Sequence, residues 1–333
     1  MPKFKVLITD YIWSCLDIET RVLAECDATP IAAPDGKEET LAALARDAHG
    51  ILTCFAPVTP RVLQAASNCV VVARYGVGVD NIAVDAATEL GMLVTYVPDY
   101  CMDEVSDQTM GYIIALNRRF PAFERLARQG NWASLPLDTP VLRLRGSVLG
   151  IMGLGRIGRA VCLKARAFGM EVLACDPYIS KEDFQKVGAT PCSREELLKR
   201  SDFVTVHTPL NEETRGLISQ QELRLMKPSA FLINCARGPI VDEAALVEAL
   251  RQGWIAGAGL DVLQSSHPPA SHPLFSMDNV IVTPHTAFFS QQSLQELRAR
   301  AAQSVVAVLK GQMPEHVYNI AVLPHARAKV KAS

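Results

Sequence analysis

The chain contains 333 residues, of which 49% are hydrophobic and 20% are charged, and this composition excludes a disordered or fibrous protein. A single hydrophobic core stops growing near about 250 to 300 residues, so the length predicts two domains. With 33 Lys and Arg against 35 Asp and Glu, the formal charge of -2 lacks the basic excess of a nucleic-acid binder, and no apolar run approaches the roughly 18 residues of a membrane span.

The first hundred residues alternate short apolar runs with amphipathic stretches. The apolar runs predict strands at residues 5–9, 50–55, 70–74 and 93–97. Helical spacing between them predicts helices at residues 38–47, 60–66 and 84–90. Strands that alternate with helices are typical of an α/β layer with a parallel sheet.

A second α/β unit follows in the sequence. Helical spacing predicts a helix at residues 103–119, a loop at 130–140, and a new alternation of strands and helices from 146 to 285. The last helix is predicted at Gln291–Leu309, and we expect it to pack on the first domain.

A glycine motif lies at the start of the second unit. The buried-strand pattern at 147–152 runs into Gly153-Leu154-Gly155-Arg156-Ile157-Gly158, and a helical stretch follows. Gly153 permits a tight turn, Gly155 lets a pyrophosphate approach the backbone, and Gly158 lets helix and strand pack closely. The pattern predicts a dinucleotide site of the Rossmann type, although such glycines can also serve only as a turn.

A carboxylate follows at the matching distance. The strand predicted at 171–175 ends in Asp176, which lies 176 − 158 = 18 residues after the last glycine. There it could accept both ribose hydroxyls, and it would repel a 2′-phosphate. Because Pro177 and Tyr178 follow it instead of an arginine, we predict NAD rather than NADP as the cofactor.

Five further motifs in the same order resemble the D-isomer-specific 2-hydroxyacid dehydrogenases over almost the whole chain. The branch with the strongest resemblance contains the C-terminal-binding proteins and the phosphoglycerate dehydrogenases. The five motifs are Arg74-Tyr75-Gly76-Val77-Gly78-Val79-Asp80-Asn81, His207-Thr208-Pro209-Leu210, Asn234-Cys235-Ala236-Arg237-Gly238, Gly259-Leu260-Asp261-Val262 and Thr283-Pro284-His285.

The resemblance implies a discontinuous α/β fold. Residues 1–102 and 295–333 would form a flavodoxin-like substrate-binding domain, and residues 103–294 a Rossmann-type, doubly wound dinucleotide-binding domain. The active site would lie in a cleft between them. The helix at 103–119 resembles the one that these proteins use to dimerise, so a homodimer is expected.

The resemblance also assigns roles to single residues. Arg237 would clamp the carboxylate and C2 oxygen of a small 2-hydroxy or 2-oxo acid, because its planar fork binds two oxygens together. His285 would carry the proton, since imidazole titrates near neutrality. The backbone N–H groups of Val77 and Gly78 could take the other carboxylate oxygen. Arg74 could bind the carboxylate or a second acidic group, or form an ion pair at the end of its strand. The cofactor would contact Gly153, Gly155, Arg156, Ile157, Gly158, Asp176, Thr208, Pro209, Cys235, Ala236, Asp261 and Ala287.

One position departs from the family pattern. The family normally has a Glu five residues after Asp261, where it stabilises the protonated histidine, and this chain has Ser266 there. A hydroxyl brings no charge, so the pKa of His285 should be lower than in its relatives. Three outcomes are open: oxidation is the favoured direction, because it needs a neutral base; or the reaction needs little proton transfer, as in formate dehydrogenases; or catalysis is weak or absent. Gln264 or His267 could compensate.

Weak or absent catalysis leads to a second hypothesis, an NADH-binding corepressor or sensor similar to the C-terminal-binding proteins.

Nine scattered cysteines without a C-x-x-C pair predict reduced thiols and no metal site. The N-terminus enters a strand without a signal-peptide pattern, so we expect a cytoplasmic protein. We expect neither nucleic acid nor membrane as a partner.

Overall fold

The computed structural model describes residues 3–132 and 141–331. The chain divides into one compact unit of Met1–Tyr100 with Ser290–Ser333 and a second of Cys101–Phe289. The boundaries predicted at 102 and 294 both fall inside helices, and the structure instead divides the chain just before each of those helices begins. The predicted loop at 130–140 lies mostly outside the described residues.

The first unit is built on a five-stranded parallel sheet. Its strands are β1 (Phe4–Ile8), β2 (Ala28–Ala32), β3 (Gly50–Thr53), β4 (Val71–Arg74) and β5 (Leu93–Thr95). Its helices are α1 (Asp17–Leu23), α2 (Glu38–Ala45), α3 (Pro60–Ala65), α4 (Val84–Glu89) and α12 (Gln291–Leu309). The strand order β2-β1-β3-β4-β5 is the flavodoxin-like order. Every residue of β3 and β4 is buried, as expected for strands covered by helices on both faces.

The second unit is built on a seven-stranded parallel sheet. Its strands are β6 (Val148–Met152), β7 (Glu171–Cys175), β8 (Thr190–Pro191), β9 (Phe203–Val206), β10 (Phe231–Asn234), β11 (Gly257–Leu260) and β12 (Val280–Val282). Its helices are α5 (Met102–Asn117), α6 (Phe120–Arg128), α7 (Arg156–Ala167), α8 (Lys181–Val187), α9 (Arg194–Arg200), α10 (Gln220–Leu225) and α11 (Glu243–Arg251).

The order of these seven strands is β12-β11-β10-β9-β6-β7-β8. The chain therefore winds outward from β6 in one direction and then, from β9 onward, in the other. Hydrophobic clusters cover both faces of the sheet, one including Ile151 and Phe203 and the other including Val204 and Leu232. This doubly wound arrangement confirms the predicted α/β fold, and a ligand is expected at the carboxyl edge near β6 and β9, where the winding reverses. None of the helices in the described ranges is long and apolar enough to cross a bilayer.

The terminal helix α12 is tied to the first unit by a buried ion pair. Arg298 donates from Nε to Oε1 of Glu19 at 2.9 Å and from Nη2 to Oε2 at 2.7 Å, and Glu19 is fully buried in α1. Arg298 Nη2 also donates to the Cys15 carbonyl at 2.7 Å. The two-pronged geometry satisfies both charges where water cannot reach them.

We expect Glu19→Ala to lower the free energy of unfolding by about 3 to 5 kcal/mol, because it removes the buried carboxylate and leaves the buried guanidinium only the exposed one of Asp17, 2.7 Å from Nη2. Urea denaturation followed by circular dichroism measures this loss. The control is Glu124→Ala, which removes a carboxylate paired with Arg128 on the surface and should cost less than about 1 kcal/mol. Equal losses in the two variants would contradict this account of the ion pair.

Candidate active site

Six of the predicted functional segments lie at the carboxyl edge of the seven-stranded sheet. The glycine loop follows β6, Asp176 follows β7, and His207 follows β9. Strands β10, β11 and β12 are neighbours in the sheet, and Arg237, Asp261 and His285 each come within three residues of the end of one of them. Parallel strands thus bring to one edge side chains that are far apart in the sequence.

The glycine loop requires glycine at two positions and leaves space at the third. Gly153 has φ +91°, and a Cβ there would lie 2.8 Å from the carbonyl oxygen of His207. A Cβ on Gly158 would lie 2.1 Å from the Gly153 oxygen, so α7 packs directly on the turn. A Cβ on Gly155 would have no atom within 4 Å. The helix begins at Arg156 with no side chain capping its free N–H groups, which is the arrangement that binds phosphate.

Asp176 is fixed beside this loop. Its Oδ2 accepts the N–H of Leu154 at 2.8 Å, and its Oδ1 accepts the N–H of Tyr178 at 3.0 Å. The Tyr178 hydroxyl donates to Oε2 of Glu213 at 2.9 Å, in the loop that follows Thr208 and Pro209. Two carboxylates therefore stand on segments that the sequence assigns to the adenosine end, and both would oppose a 2′-phosphate.

The residues fit a dinucleotide. Thr208 Oγ1 is buried and finds no hydrogen-bond partner within the described part of the chain, a state that proteins rarely leave uncompensated. It lies next to Gly153, because a Cβ on that glycine would be 3.0 Å from Thr208 Cγ2. The uncapped helix, the open side of Gly155 and the Asp176 carboxylate supply partners for a pyrophosphate and a ribose, and Arg156, Ile157 and Gly158 form the first turn of that helix.

The turn that carries Arg237 is shaped by an amide. Asn234, the last residue of β10, accepts the N–H of Ala236 at 3.0 Å and donates to the carbonyl of Arg237 at 2.9 Å. A Cβ on Gly238 would lie 1.9 Å from the carbonyl oxygen of Leu263, so only glycine allows this contact. Arg237 Nη1 donates to the Ala236 carbonyl at 2.8 Å, and the side chain is half-buried.

Cys235 lies in the same turn and is not an activated nucleophile. Burial raises the pKa of its thiol to about 12, so it is neutral at physiological pH. The nearby hydroxyl of Thr109 in α5 opposes this shift without cancelling it. The sequence interpretation gives Cys235 a cofactor contact, a role that needs no thiolate.

The turn that carries His285 is held by Asp261, which is 1% exposed. Oδ1 of Asp261 accepts the N–H of Thr286 at 2.8 Å, and Oδ2 accepts that of Ala287 at 2.9 Å. The Thr283 hydroxyl also donates to Oδ1, and the N–H of His285 donates to the Asp261 backbone carbonyl at 2.8 Å. His285 itself has φ +53°, a left-handed conformation that non-glycine residues adopt at a cost of about 1 to 3 kcal/mol.

His207 is the other histidine at this edge, and it differs from His285 in its chemistry. Its Nε2 lies 2.9 Å from the Thr205 hydroxyl. Burial lowers the pKa of His207 to about 4, so its ring stays neutral over the physiological range. It is therefore unsuited to exchanging protons near neutrality.

The predicted substrate loop lies in the first unit, after β4. Arg74 is buried, its Nη1 donates to the Tyr75 carbonyl, and its guanidinium carbon lies 5.7 Å from the centre of the Phe55 ring. The N–H groups of Val77 and Gly78 donate no hydrogen bond to any residue in the described ranges. Both groups are half-buried, which leaves them available to an anion.

Ser266 lies on an exposed loop after β11. Its hydroxyl lies 3.0 Å from Nδ1 of His267, so one of the two candidates for compensation is engaged with the serine itself. The backbone N–H of Gln264 donates to Oε2 of Glu243 at 2.8 Å, and Nε2 of His272 lies 3.1 Å from Oε1 of the same carboxylate. Glu243 therefore anchors this loop at two places.

The sequence did not single out Asn234 or Thr283 as functional residues. Both lie within motifs that it identified, and a polar residue that ends an apolar strand is the signal that would have found Asn234. Within the described ranges, no group of three or more His, Cys, Asp and Glu side chains is arranged to hold a metal ion.

Comparison with protein families matches residues 110–287 to the NAD-binding domain of the D-isomer-specific 2-hydroxyacid dehydrogenases. This range contains the glycine loop, Asp176, Arg237, Asp261 and His285. The match therefore covers the whole carboxyl edge described above.

Similar proteins extend the likeness to both units. The chain is 40% identical over 266 residues to a glyoxylate reductase of Korarchaeum cryptofilum, covering 79% of this chain and 80% of that protein. It is 37% identical over 324 residues to a D-3-phosphoglycerate dehydrogenase of Methanocaldococcus jannaschii, covering 97% of this chain but only 61% of that longer protein. A D-lactate dehydrogenase of Aquifex aeolicus, solved with NAD and lactic acid, superposes with a TM-score of 0.83 at 29% identity, covering 92% and 96% of the two chains.

Two glycine variants should separate folding from cofactor binding. Gly155→Ala meets no protein atom within 4 Å, so we expect an unchanged melting temperature but an NADH affinity at least about ten-fold weaker, because the methyl group occupies the approach of the pyrophosphate. Gly158→Ala should lower both the melting temperature and the affinity for NADH, since its Cβ would collide with Gly153.

Fluorescence titration with NADH and differential scanning fluorimetry measure the two effects. Gly111→Ala is the matched control, because that glycine lies in α5, where a Cβ also meets nothing within 4 Å. An affinity for NADH that Gly155→Ala leaves unchanged would refute the assignment of the loop.

Proposed function

The chain belongs to the D-isomer-specific 2-hydroxyacid dehydrogenase family, and on this premise we propose that it moves a hydride between nicotinamide and a small D-2-hydroxy or 2-oxo acid, with Arg237 and His285 as catalytic residues. The comparisons confirm the family predicted from the sequence, with its phosphoglycerate-dehydrogenase-like branch. They also confirm NAD as the cofactor and an oxidoreductase that acts on CH–OH donors.

The observation that carries the proposal is the placement of Arg237, Asp261 and His285 after three neighbouring strands. A guanidinium and an imidazole are the two groups that reduction of a 2-oxo acid needs, one to bind oxygens and one to move a proton. Both stand on the same sheet edge as the glycine loop, and the His285 turn is fixed by hydrogen bonds before any substrate arrives.

Each residue would have a distinct task. Arg237 would bind one carboxylate oxygen and the C2 oxygen together, which orients the acid and polarises its ketone. His285 would donate a proton to the C2 oxygen during reduction and take it back during oxidation. The N–H groups of Val77 and Gly78, with Arg74, would hold the second carboxylate oxygen. When bound, NADH supplies the hydride, or NAD⁺ accepts it.

Ser266 would affect the transfer of the proton and not the transfer of the hydride. A hydroxyl cannot stabilise an imidazolium by charge, so His285 would be protonated less readily than with a glutamate in that place. Reduction needs the protonated ring and oxidation the neutral one. We propose that the replacement favours oxidation of the hydroxy acid and moves reduction toward acidic pH.

We further propose a cytoplasmic homodimer that binds neither nucleic acid nor membrane. All nine cysteines are free, which suits a reducing compartment. In the second unit Phe120 and Trp132 are 54% and 82% exposed, and exposed aromatic side chains favour a contact with a second copy. The formal charge of -2 provides no surplus of positive charge for phosphates.

Turnover is tested with NADH or NAD⁺ and a panel of acids that includes glyoxylate, D-lactate and D-3-phosphoglycerate, followed by absorbance of NADH across pH. We expect activity on at least one small 2-hydroxy or 2-oxo acid, and its loss by at least about a thousand-fold in His285→Gln, which cannot transfer the proton. Tight binding of NADH with no turnover of any acid would instead favour the corepressor or sensor hypothesis.

Ser266→Glu should restore the missing charge. We expect the upper pH limit of reduction to rise by about one pH unit, because a carboxylate beside the imidazolium keeps it protonated to higher pH. The measurement is the pH profile of kcat/KM in the reductive direction. Ser265→Glu adds the same charge one residue away and is the control. If both variants shift the profile equally, or neither does, the proposed role of position 266 is wrong.

Asp176→Asn tests the choice of cofactor. We expect the affinity for NADH to fall at least about ten-fold, because hydrogen bonds to a charged acceptor are worth about 1.5 to 3 kcal/mol, while NADPH should bind better. Titration with both cofactors gives the ratio. Asp278→Asn removes a carboxylate that pairs with Arg125 and should leave that ratio unchanged. A ratio that Asp176→Asn also leaves unchanged would refute the ribose assignment.

A further inference from the structure

Helix α5 packs against β10, β11 and β12 of the seven-stranded sheet, and the ring of Tyr112 contacts β11. A Cβ on Gly259 of β11 would lie 2.7 Å from Cγ of that ring, so the phenyl group rests on the strand backbone where only glycine leaves room. Tyr112 is 3% exposed. The same helix contacts β10, β11 and β12, the three strands that lead to Arg237, Asp261 and His285.

The Tyr112 hydroxyl is the first group in a chain of hydrogen bonds that runs through Thr283 to Asp261. Its oxygen lies 2.5 Å from Oγ1 of Thr283, and the Thr283 hydroxyl donates to Oδ1 of Asp261. An ionised carboxylate can only accept, so the single proton of Thr283 points to Asp261. The phenol must therefore donate to Thr283, and Nε2 of Gln108 adds a weaker contact to the same oxygen at 3.4 Å.

The phenol is suited to remain a donor. Burial raises the pKa of Tyr112 well above its usual range, so it keeps its proton at any pH at which the enzyme would work. Beyond Asp261 the chain of hydrogen bonds reaches the N–H groups of Thr286 and Ala287. These are the two residues that follow His285, which has a left-handed backbone conformation. Side-chain networks of this kind rigidify the groups at their end when every member is satisfied.

We propose that Tyr112 is a positioning residue for proton transfer: through Thr283 and Asp261, its hydroxyl fixes the turn that presents His285. The inference rests on the proposed function of His285 as the proton carrier. Tyr112 touches neither the imidazole nor a reacting atom, and it acts by limiting where the ring can lie. Small errors in the placement of a catalytic group can slow a reaction by about a hundred-fold, so such a restraint has a measurable effect.

Helix α5 supports the neighbouring turn as well. Thr109, one helical turn before Tyr112, lies beside Cys235 in the turn of Arg237. Lys164 of α7 in turn holds the start of α5, donating to the Ser106 hydroxyl at 2.7 Å and to Asp107 Oδ1 at 2.6 Å. One helix face thus contacts the segments that carry both catalytic side chains.

The test removes the hydroxyl and keeps the ring. In Tyr112→Phe we expect kcat for the acid turned over by the wild type to fall about five-fold, with NADH affinity within about two-fold, since one hydrogen bond is lost and the residues assigned to the pyrophosphate and the ribose, which follow β6 and β7, are untouched. Thr283→Val, which also deprives Asp261 of a donor, should lower kcat at least about ten-fold, and Thr283→Ser should restore it. A restored kcat in the serine variant separates the hydroxyl from the bulk of the side chain.

The control is Asn117→Ala, a buried residue of the same helix whose amide, within the described ranges, bonds only to the backbone of Leu142. It should lower the melting temperature and leave kcat unchanged. If Tyr112→Phe lowers kcat no more than this control, or weakens NADH binding in proportion, the residue is merely structural and the proposal is overturned.

A second readout needs no turnover. The ring signals of His285 in a carbon–proton NMR spectrum, assigned by their loss in His285→Gln, should shift or double in Tyr112→Phe and Thr283→Val and stay unchanged in Asn117→Ala. If the wild type turns over no acid, the proposed function fails, and this spectrum alone decides whether the hydroxyl holds the turn. Identical His285 signals in the wild type and Tyr112→Phe would overturn the proposal in either case.

Discussion

The catalytic edge of the second unit depends on the carboxylate of Asp261. Strand β12 ends at Val282, and after the N–H of Thr283, which donates to the Leu260 carbonyl at 3.0 Å, the ladder of hydrogen bonds between neighbouring strands stops. Asp261 replaces that ladder, binding the N–H groups of Thr286 and Ala287 with its two oxygens and the N–H of His285 with its backbone carbonyl. Because a left-handed histidine is unfavourable alone, its conformation persists only while these bonds over-determine the turn. The position of the His285 imidazole therefore depends on one buried residue, Asp261.

Several features could be predicted from the sequence because they depend on neighbouring residues. The strand, glycine loop and helix around Gly153 and Gly158 follow from a local pattern, and Asp176 follows from the length of the next strand and helix. The terminal helix occupies Gln291–Leu309 as predicted, since its apolar spacing and the cap at Ser290 are both local signals. The family resemblance added residues that no local pattern could assign, such as Arg237.

Other features could not be predicted because they arise from contacts between distant segments. Strands β2 and β8 each contain proline, lie at an edge of their sheet and pair with a single neighbour, so neither shows the buried run that marks a central strand. Tyr112 has the spacing of an ordinary core residue, and its hydroxyl meets a partner 171 residues away. The resemblance assigns Asp261 to the nicotinamide amide, and its bonds to the His285 turn become visible only in the fold.

In the proposed function, Ser266 would change one step of the chemistry and leave the scaffold for the others in place. The residues that suit the adenosine and the pyrophosphate follow β6, β7 and β9, whereas Arg237, Asp261 and His285 follow β10, β11 and β12. In the proposed function, capture of the dinucleotide would thus be separate from control of the proton. A protein that only sensed NADH would need the first group of residues, and nothing in that task calls for a histidine held at φ +53° by four hydrogen bonds. In the proposed function oxidation would start from a neutral imidazole, so a fixed His285 with Ser266 in the place of the family's glutamate would still suit that direction, and the geometry favours altered catalysis over its loss.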